Sequence, residues 1–438
     1  MIRYLNIFLF EFKHFRKSKT KVISYLVFIL ACVFSLFNGF ELQKKQLNTI
    51  DNIQINEDES ISEIITWYEN GEKGPKDRSW IDVTNPYWSI RYTSTYMIKE
   101  PSKLLPLGIG QSEQYGYYQK LSIWSSPFDS DIAEEITNYE RLINGNIDFS
   151  FLILFLLPLL LIILTFNING LEKDLKFNNL ITIQVGESKK WIFYRLLFYT
   201  FLVTTTINCM IFSVAFINNV FNQELLHLIL LSNLYIFIFI VPFYFIIKSS
   251  NGSTSIAFKM ISFWLLLCVL IPGTAHQYAN LKYPVNYMTD FLDANRKETY
   301  DVFKYSKEEL NTRLLEIYPN LNSTSHAKDT SVNRTVVRNT MSAIVNKLNT
   351  NAIGKIEQQN NLKNNLIVST YWYNPVSYFQ NKWNAITCSD YHAYSKFRND
   401  IQRKIDDRLE LLVFECWDNK TVDLKKYNSY LKTLRQSN

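Results

Sequence analysis

The sequence predicts an all-α polytopic membrane protein of about five transmembrane helices, joined to an α-rich (α or α+β) extracytoplasmic domain. Three observations carry this. Five segments free of acidic residues, 22–40, 149–168, 191–217, 225–247 and 256–275, are each long enough to cross roughly 30 Å of hydrocarbon. Basic residues gather at alternate ends of them. The remainder, 41–148 and 276–438, is polar, aromatic and too long to be loops. A mean hydropathy of −0.08 over 438 residues hides this segregation. With 47% hydrophobic residues, 15% aromatics, 12 Gly and 11 Pro, the chain is neither collagen-like nor a Gly/Pro-rich disordered one.

Residues 1–21 are amphipathic and hold Arg3, Lys13, Arg16, Lys17, Lys19 and Lys21 against one acid, Glu11. That excess keeps the N-terminus in the cytoplasm. No small-residue cleavage site follows the first apolar run, so 22–40 is an anchor and not a signal peptide. Alternate threading then places 41–148 outside, 169–190 inside, 218–224 outside, 248–255 inside and 276–438 outside. Lys173, Lys176, Lys189, Lys190 and Lys248 fall inside, and 218–224 has no basic residue. The charges within the spans are Arg195 and Lys259, each near the start of its segment. Both are expected to snorkel to the headgroups, since a charge at mid-membrane costs at least about 2.5 kcal/mol.

The first outer region begins polar (Gln43 to Ser62) and becomes aromatic and turn-rich from Trp80 to Tyr118, and an amphipathic helix from Asp131 to Leu142 leads into the second span. The second outer region reads as helices over 289–303, 306–317, a polar pair within 331–367, and 391–417. No sixth span follows Trp417, which leaves either five spans with an outer C-terminus or a chain shortened relative to its relatives. The two outer regions are expected to pack as one domain. Cys32, Cys209 and Cys268 fall inside spans and read as small hydrophobes. Cys388 and Cys416 share the predicted outer, oxidising side and are the candidate disulfide pair.

The net charge of +6 arises from the spans and inner segments, where 13 Lys or Arg face 5 Asp or Glu. No basic stripe with interleaved aromatics points to nucleic acid. The chain lacks GxxxxGK[ST], HExxH, CxxC and GxSxG. Its five histidines are scattered, and adjacent acids such as Glu134 and Glu135 point to different helix sides. Nothing here indicates catalysis, a bound cofactor or a metal. An intramembrane enzyme would need a polar catalytic pair on facing spans, and none is evident.

The inner segment after the second span is more informative. An apolar span ending Leu164-Thr165-Phe166-Asn167-Ile168-Asn169-Gly170 continues through Leu171, Glu172, Lys173, Asp174 and Leu175. A second block, Ile181-Thr182-Ile183-Gln184-Val185-Gly186, then precedes a basic start to the third span. This order resembles the inner loop of type-2 ABC transporter permeases, in which a short amphipathic coupling helix docks on the ATP-hydrolysing subunit. Residues 4–21 look like the elbow helix of that family, with Ile7, Phe8, Phe12 and Phe15 on one face and Arg3, Lys13, Arg16 and Lys17 toward anionic lipid. The large insertion is similar to a branch known by an uncharacterised permease domain. Its recurring features stand here as Asn85-Pro86, Leu105-Pro106-Leu107-Gly108-Ile109-Gly110, Asn144-Gly145-Asn146-Ile147-Asp148, and Asn374-Pro375 with Asp390 and Tyr394. Where the family has a glycine turn after its acidic pair, Leu175, Lys176 and Phe177 stand instead.

The resemblance implies a non-catalytic permease subunit of a bacterial cytoplasmic-membrane exporter. Its partners would be an ABC ATPase that binds ATP and Mg, a second permease copy or paralogue, and the bilayer. It implies coupling through Glu172, Lys173, Asp174, Leu175, Ile181 and Ile183, although the charged side chains equally suit helix capping. Thr165, Thr204, Thr205, Thr206, Asn208 and Asn233 are the candidates for a translocation path, with interhelical hydrogen bonding the plainer role. The alternative class is a membrane-anchored binding or assembly protein, for which the aromatics Tyr371, Trp372, Tyr373, Tyr378, Phe379 and Trp383 are either a partner surface or a core.

Overall fold

A computed structural model describes residues 2–137, 147–177, 180, 183, 188–250, 252–285, 287–328 and 334–435. Helix dominates, and the strands described are a single antiparallel hairpin, β1 (Thr95–Ile98) and β2 (Tyr118–Leu121), with Thr95 opposite Leu121. Five helices are long and apolar enough to cross a membrane.

Helix α1 (Ile2–Lys17) is followed at once by α2 (Lys19–Asn70), which carries the first span and then runs on for thirty residues past residue 40. The extension is helical for a physical reason that polarity alone conceals. No Gly or Pro interrupts 41–70, and Ile50, Ile53, Ile61, Ile64 and Trp67 recur at helical spacing and are buried. Gly39 lies where α2 meets the backbone of Pro106, and a Cβ there would stand 2.6 Å from the Pro106 Cα. Helix α3 (Pro86–Tyr92) and the hairpin follow, then α4 (Asp129–Thr137). The predicted continuation of α4 to Leu142 lies outside the described residues, as do Asn144, Gly145 and Asn146.

The second span, α5, is one rod built from Phe149–Phe151, a π turn at Leu152–Leu156, and Leu157–Thr165. It is the central post: 67% of its most apolar window is buried, against 17–33% for the other four. A short α6 (Gly170–Asp174) leads toward the third and fourth spans, α7 (Ser188–Ile217) and α8 (Gln223–Ser249). The fifth, α9, comprises Ser253–Leu265, a second π turn at Leu266–Leu270, and Ile271–Lys282. Leu30, Phe34, Phe201, Phe216 and Phe258 remain exposed on the outer faces of these helices, as hydrocarbon-facing residues must.

Among the described residues eight α-helices follow: α10 (Tyr287–Val302), α11 (Lys307–Ile317), α12 (Ser325–Lys328), α13 (Arg334–Asn339), α14 (Met341–Ser369), α15 (Pro375–Ile386), α16 (Tyr391–Asp418) and α17 (Leu424–Arg435). A capping box at Ser306 and Glu309 opens α11. The helices expected over 289–303, 306–317 and 391–417 are present within a few residues. The hairpin, α15 and α17 were not anticipated. As expected, the two polar regions share one core: Ile64, Trp67, Val83, Ile90 and Leu121 from the first pack with Leu314, Ile344, Ile405, Leu412 and Trp417 from the second.

Helix α15 joins that domain to the spans. Val376, Phe379 and Trp383 belong to the core of the membrane helices. The Trp383 indole donates to the Leu107 carbonyl at 2.7 Å, and Phe379 stacks edge-on against Tyr235 with centroids 5.0 Å apart. The aromatic cluster near residue 375 is therefore split, with Phe379 and Trp383 in a core and Trp372 86% exposed.

Candidate functional site

At the end of the spans opposite the domain, α1 lies against α7 through Phe8 and Phe198, and Phe15 packs on Tyr25 and Tyr199. Its inward face is Ile7, Glu11 and Phe15, spaced i, i+4, i+8. Phe12, expected on that face, is exposed. Glu11 is fully buried, and three elements supply its partners. Arg195 Nε of α7 donates to its Oε2 at 2.5 Å, the Tyr199 hydroxyl donates to its Oε1 at 2.6 Å, and His14 Nδ1 lies 3.6 Å away. Lys21, at the start of α2, donates to the Tyr199 hydroxyl at 2.8 Å and stands 4.0 Å from Glu11. Burial opposes ionisation of Glu11, but the neighbouring His14 and Arg195, with the Tyr199 hydroxyl, outweigh it and hold the carboxyl at about 2.

Arg195 also donates from a terminal nitrogen to Glu172 on α6. One guanidinium thus ties α1, α6 and α7 together, with its flat face 5.2 Å from the Trp191 ring. Arg195, expected to snorkel to the headgroups, is instead held by two carboxylates that come to it, and it is only 2% exposed. Lys21, counted among the basic residues that hold the N-terminus inside, is likewise buried. Lys259 does reach the end of its helix, where its ammonium donates to Ser250 Oγ at 3.2 Å.

The remaining residues of the predicted coupling segment are placed individually. Lys173 donates to the Ser250 carbonyl, and Asp174 accepts from the Ser253 amide at 3.2 Å and from its hydroxyl, holding the start of α9. Gly170 is needed here, since a Cβ would stand 2.7 Å from the Ser253 Cα. After Asp174 the chain turns in a Schellman arrangement: Phe177 N–H donates to Glu172 O at 2.8 Å and Lys176 N–H to Lys173 O at 3.1 Å, with Lys176 left-handed at φ 59°. The turn for which the sequence offers no glycine is made by a lysine. Glu172 and Lys173 are thus half-buried against the protein and Asp174, though exposed, is bonded to Ser253, whereas the apolar side chains are exposed without such bonds: Leu175 55%, Phe177 53%, Leu180 57% and Ile183 79%. Ile181 lies outside the described residues.

The polar span residues are placed individually. Thr165 donates to Leu161 O within its own helix. Thr206 donates to Leu202 O and is paired with the Tyr25 hydroxyl. Asn208 donates to Asn233 across α7 and α8 at 3.4 Å. Thr205 faces an outward apolar groove with Phe201 and Cys209, and Thr204 is half-buried. Cys388 and Cys416 are both free thiols: Cys388 is exposed at a left-handed turn, while Cys416 sits in the domain core beside Trp417.

The recurring residues quoted for the large insertion serve as helix starts. Asn85 accepts from Tyr87 N–H at 3.0 Å and Asn374 from Ser377 N–H at 3.3 Å, each followed by Pro at the first helical position. Asp390 caps α16. Asp148 caps α5 and accepts from the Ile109 and Gly110 amides at 3.0 and 3.2 Å, pinning the span to the insertion.

Two π turns, absent from the sequence reading, lie next to each other in the middle of the spans. Each closes one residue before a proline, Leu157 N–H bonding to Leu152 O ahead of Pro158 and Ile271 N–H to Leu266 O ahead of Pro272. Pro158 has no amide for Leu154 O. That carbonyl accepts from the Tyr235 hydroxyl at 2.5 Å and lies 3.7 Å from the Cys268 thiol, while the Trp264 indole donates to Phe155 O at 3.0 Å.

Comparison with known proteins returns no matching family model, no matching curated protein and no matching solved structure.

Proposed function

We propose that this chain is the membrane-spanning subunit of an ATP-driven exporter of the type-2 ABC class, in a bacterial cytoplasmic membrane with its N-terminus in the cytoplasm. ATP and Mg would be bound and hydrolysed by a separate subunit, and a second permease copy or paralogue would complete the assembly. The observation that carries the reading is the exposure of four apolar side chains, Leu175, Phe177, Leu180 and Ile183, close in sequence to a base that Arg195 ties to Glu11 and Glu172. Exposed apolar side chains beside such a base suit docking onto another protein. A push on that base reaches α7 and α1 through charge-assisted hydrogen bonds and α9 through Asp174. The proposed contact thus shifts from the charged residues to their apolar neighbours.

The test is co-purification of the tagged full-length chain with an ATP-hydrolysing subunit from its native membranes. Leu180→Asp with Ile183→Asp is expected to abolish co-purification and the ATPase stimulation it brings, while the permease keeps its thermal unfolding midpoint. Full ATPase stimulation by this variant would remove the coupling role. If the wild-type chain retains no ATPase at all, the reading passes to the alternative, a membrane-anchored binding or assembly protein.

A further inference from the structure

Where the domain meets the end of α9, a cavity of about 540 Å³ opens between three parts of the chain: the segment 111–115, the last turns of α9, and α14 to α16. This size falls within the roughly 300–1,000 Å³ of small-molecule sites. Its lining is unusual in kind. Seven of the 13 side chains are carboxamides, with Gln111 and Gln114 on one wall, Asn280 below, and Asn360, Asn364, Asn381 and Asn384 opposite. Tyr115 and Tyr391 supply aromatic walls, and Ile367 is the single aliphatic side chain.

Asn384 is only 8% exposed, Gln111 is half-buried, and neither Asn384 Oδ1 nor Gln111 Oε1 has a hydrogen-bond partner among the described residues. A buried carbonyl oxygen without a donor costs about 1–3 kcal/mol, so a side-chain rotation that turns these oxygens toward a ligand's donors is stabilising. Charge narrows the ligand's class. Lys363 and His276 stand in the lining with Asp390, so neither an anion nor a cation meets a one-signed surface. Burial further lowers the affinity of Lys363 for its proton. The near-absence of aliphatic side chains leaves little to hold an apolar ligand or a hydrophobic peptide side chain. Carboxamides both donate and accept, as hydroxyl groups do, and a tyrosine face suits the C–H face of a pyranose ring.

We propose that this cavity binds a neutral glycosyl group, with Asn384 and Gln111 accepting from its hydroxyls. The group is carried either by a free oligosaccharide or by a glycolipid headgroup, because His276 and Asn280 place the floor of the cavity at the end of a span. This chemistry holds whether or not the chain is coupled to an ATPase.

The full-length protein in nanodiscs is titrated calorimetrically with maltotriose, cellotriose and triacetylchitotriose. In a second arm, nanodiscs containing diglucosyldiacylglycerol are compared with nanodiscs of phosphatidylglycerol alone, with saturation-transfer NMR reading contacts to the sugar protons. At least one saccharide is expected to bind in one arm, and Asn384→Leu is expected to weaken it at least tenfold. Should Asn384→Leu fail to fold, Gln114→Ala with Asn360→Ala, on less buried parts of the rim, decides by the same tenfold criterion. Absence of binding in both arms, wild-type affinity in the folded variants, or tighter binding of inorganic phosphate than of any saccharide overturns the proposal.

Discussion

Removing the Arg195 guanidinium strands two carboxylates, Glu11 and Glu172, whose only strong cation it is apart from Lys21 among the described residues. Breaking a buried ion pair from one side costs about 3–5 kcal/mol, because the remaining charge has lost its solvent without compensation. Arg195→Met is therefore expected to lower the unfolding midpoint of the micelle-solubilised protein markedly, and adding Glu11→Gln with Glu172→Gln is expected to recover most of the loss. An unshifted midpoint in the single variant would show that the cluster contributes nothing to stability. The clue to it lay in the sequence: Glu11 is the one acid in a basic stretch and falls on the Ile7–Phe15 face, and Arg195 is one of two charges inside the spans. A lone intramembrane charge calls for a partner, but its identity depends on which helices meet. The domain holds a second buried cluster. Arg398 donates to Asp131 at 3.1 Å and to Glu357 at 2.8 Å, so two carboxylates share one cation. Burial raises the Asp131 carboxyl to about 6, with Arg398 offsetting part of the shift. A folded-state pKa above the unfolded value of about 3.9 means stability that is present below the unfolded pKa and lost as the pH rises through 6. The expected loss between pH 4 and 7 is about 3 kcal/mol, at roughly 1.4 kcal/mol per unit. Denaturant midpoints across that range should fall more steeply for the wild type than for Asp131→Asn, and parallel curves would refute the assignment.

Helices in a bilayer tolerate proline only where another group satisfies the freed carbonyl, and α5 meets this condition with side chains from α8 and α9. Tyr235 and Trp264 thereby link three spans at a point where the helix is widened to a π turn. Tyr235→Phe removes the donor to Leu154 O, and a cost of about 0.6–1.7 kcal/mol is expected, the range of hydrogen bonds within membranes. In a Pro158→Ala background, residue 158 regains an amide that can bond Leu154 O, and the Tyr235→Phe cost should shrink. Thermal unfolding of the four proteins in one double-mutant cycle measures the coupling, and additive costs would show that hydroxyl and proline act independently. The apolar spans were legible element by element because length and absence of acids suffice to find them. The π turns were not, since a proline in a span is compatible with a kink, a widened turn or neither. The same limit applies to α2, whose second half reads only as polar by composition although Ile50, Ile53, Ile61 and Ile64 carry a helical period. It applies again to Lys176, whose left-handed conformation makes a turn for which the sequence offers no glycine.

At the scale of the molecule, the spans and the polar domain are joined by a few specific contacts: Gly39 against Pro106, Asp148 with the Ile109 and Gly110 amides, and Trp383 with the Leu107 carbonyl. The pairing of two distant polar regions into one core was legible because both are too long to be loops and thread to the same side of the spans. The docking of α15 was not, because its aromatics serve a membrane core or a domain core equally well by composition. The orientation proposed for this assembly in the bilayer rests on the basic residues near the spans, and the cysteines offer a direct check on it. Of the five, Cys32, Cys268 and Cys416 are buried, Cys209 is exposed on the apolar face of α7, and Cys388 is exposed at the turn before α16. A membrane-impermeant maleimide reacts with a thiolate in water, so neither a buried thiol nor one facing hydrocarbon is available to it. Added to spheroplasts, it should label the wild-type protein at one site, and Cys388→Ser should abolish the label. Cys416 should react only after unfolding, and migration on electrophoresis should be the same with and without reductant. Labelling of Cys388 that requires permeabilised membranes would place the domain in the cytoplasm. It would also put Leu175, Phe177, Leu180 and Ile183 on the side where no ATP-hydrolysing partner can reach them.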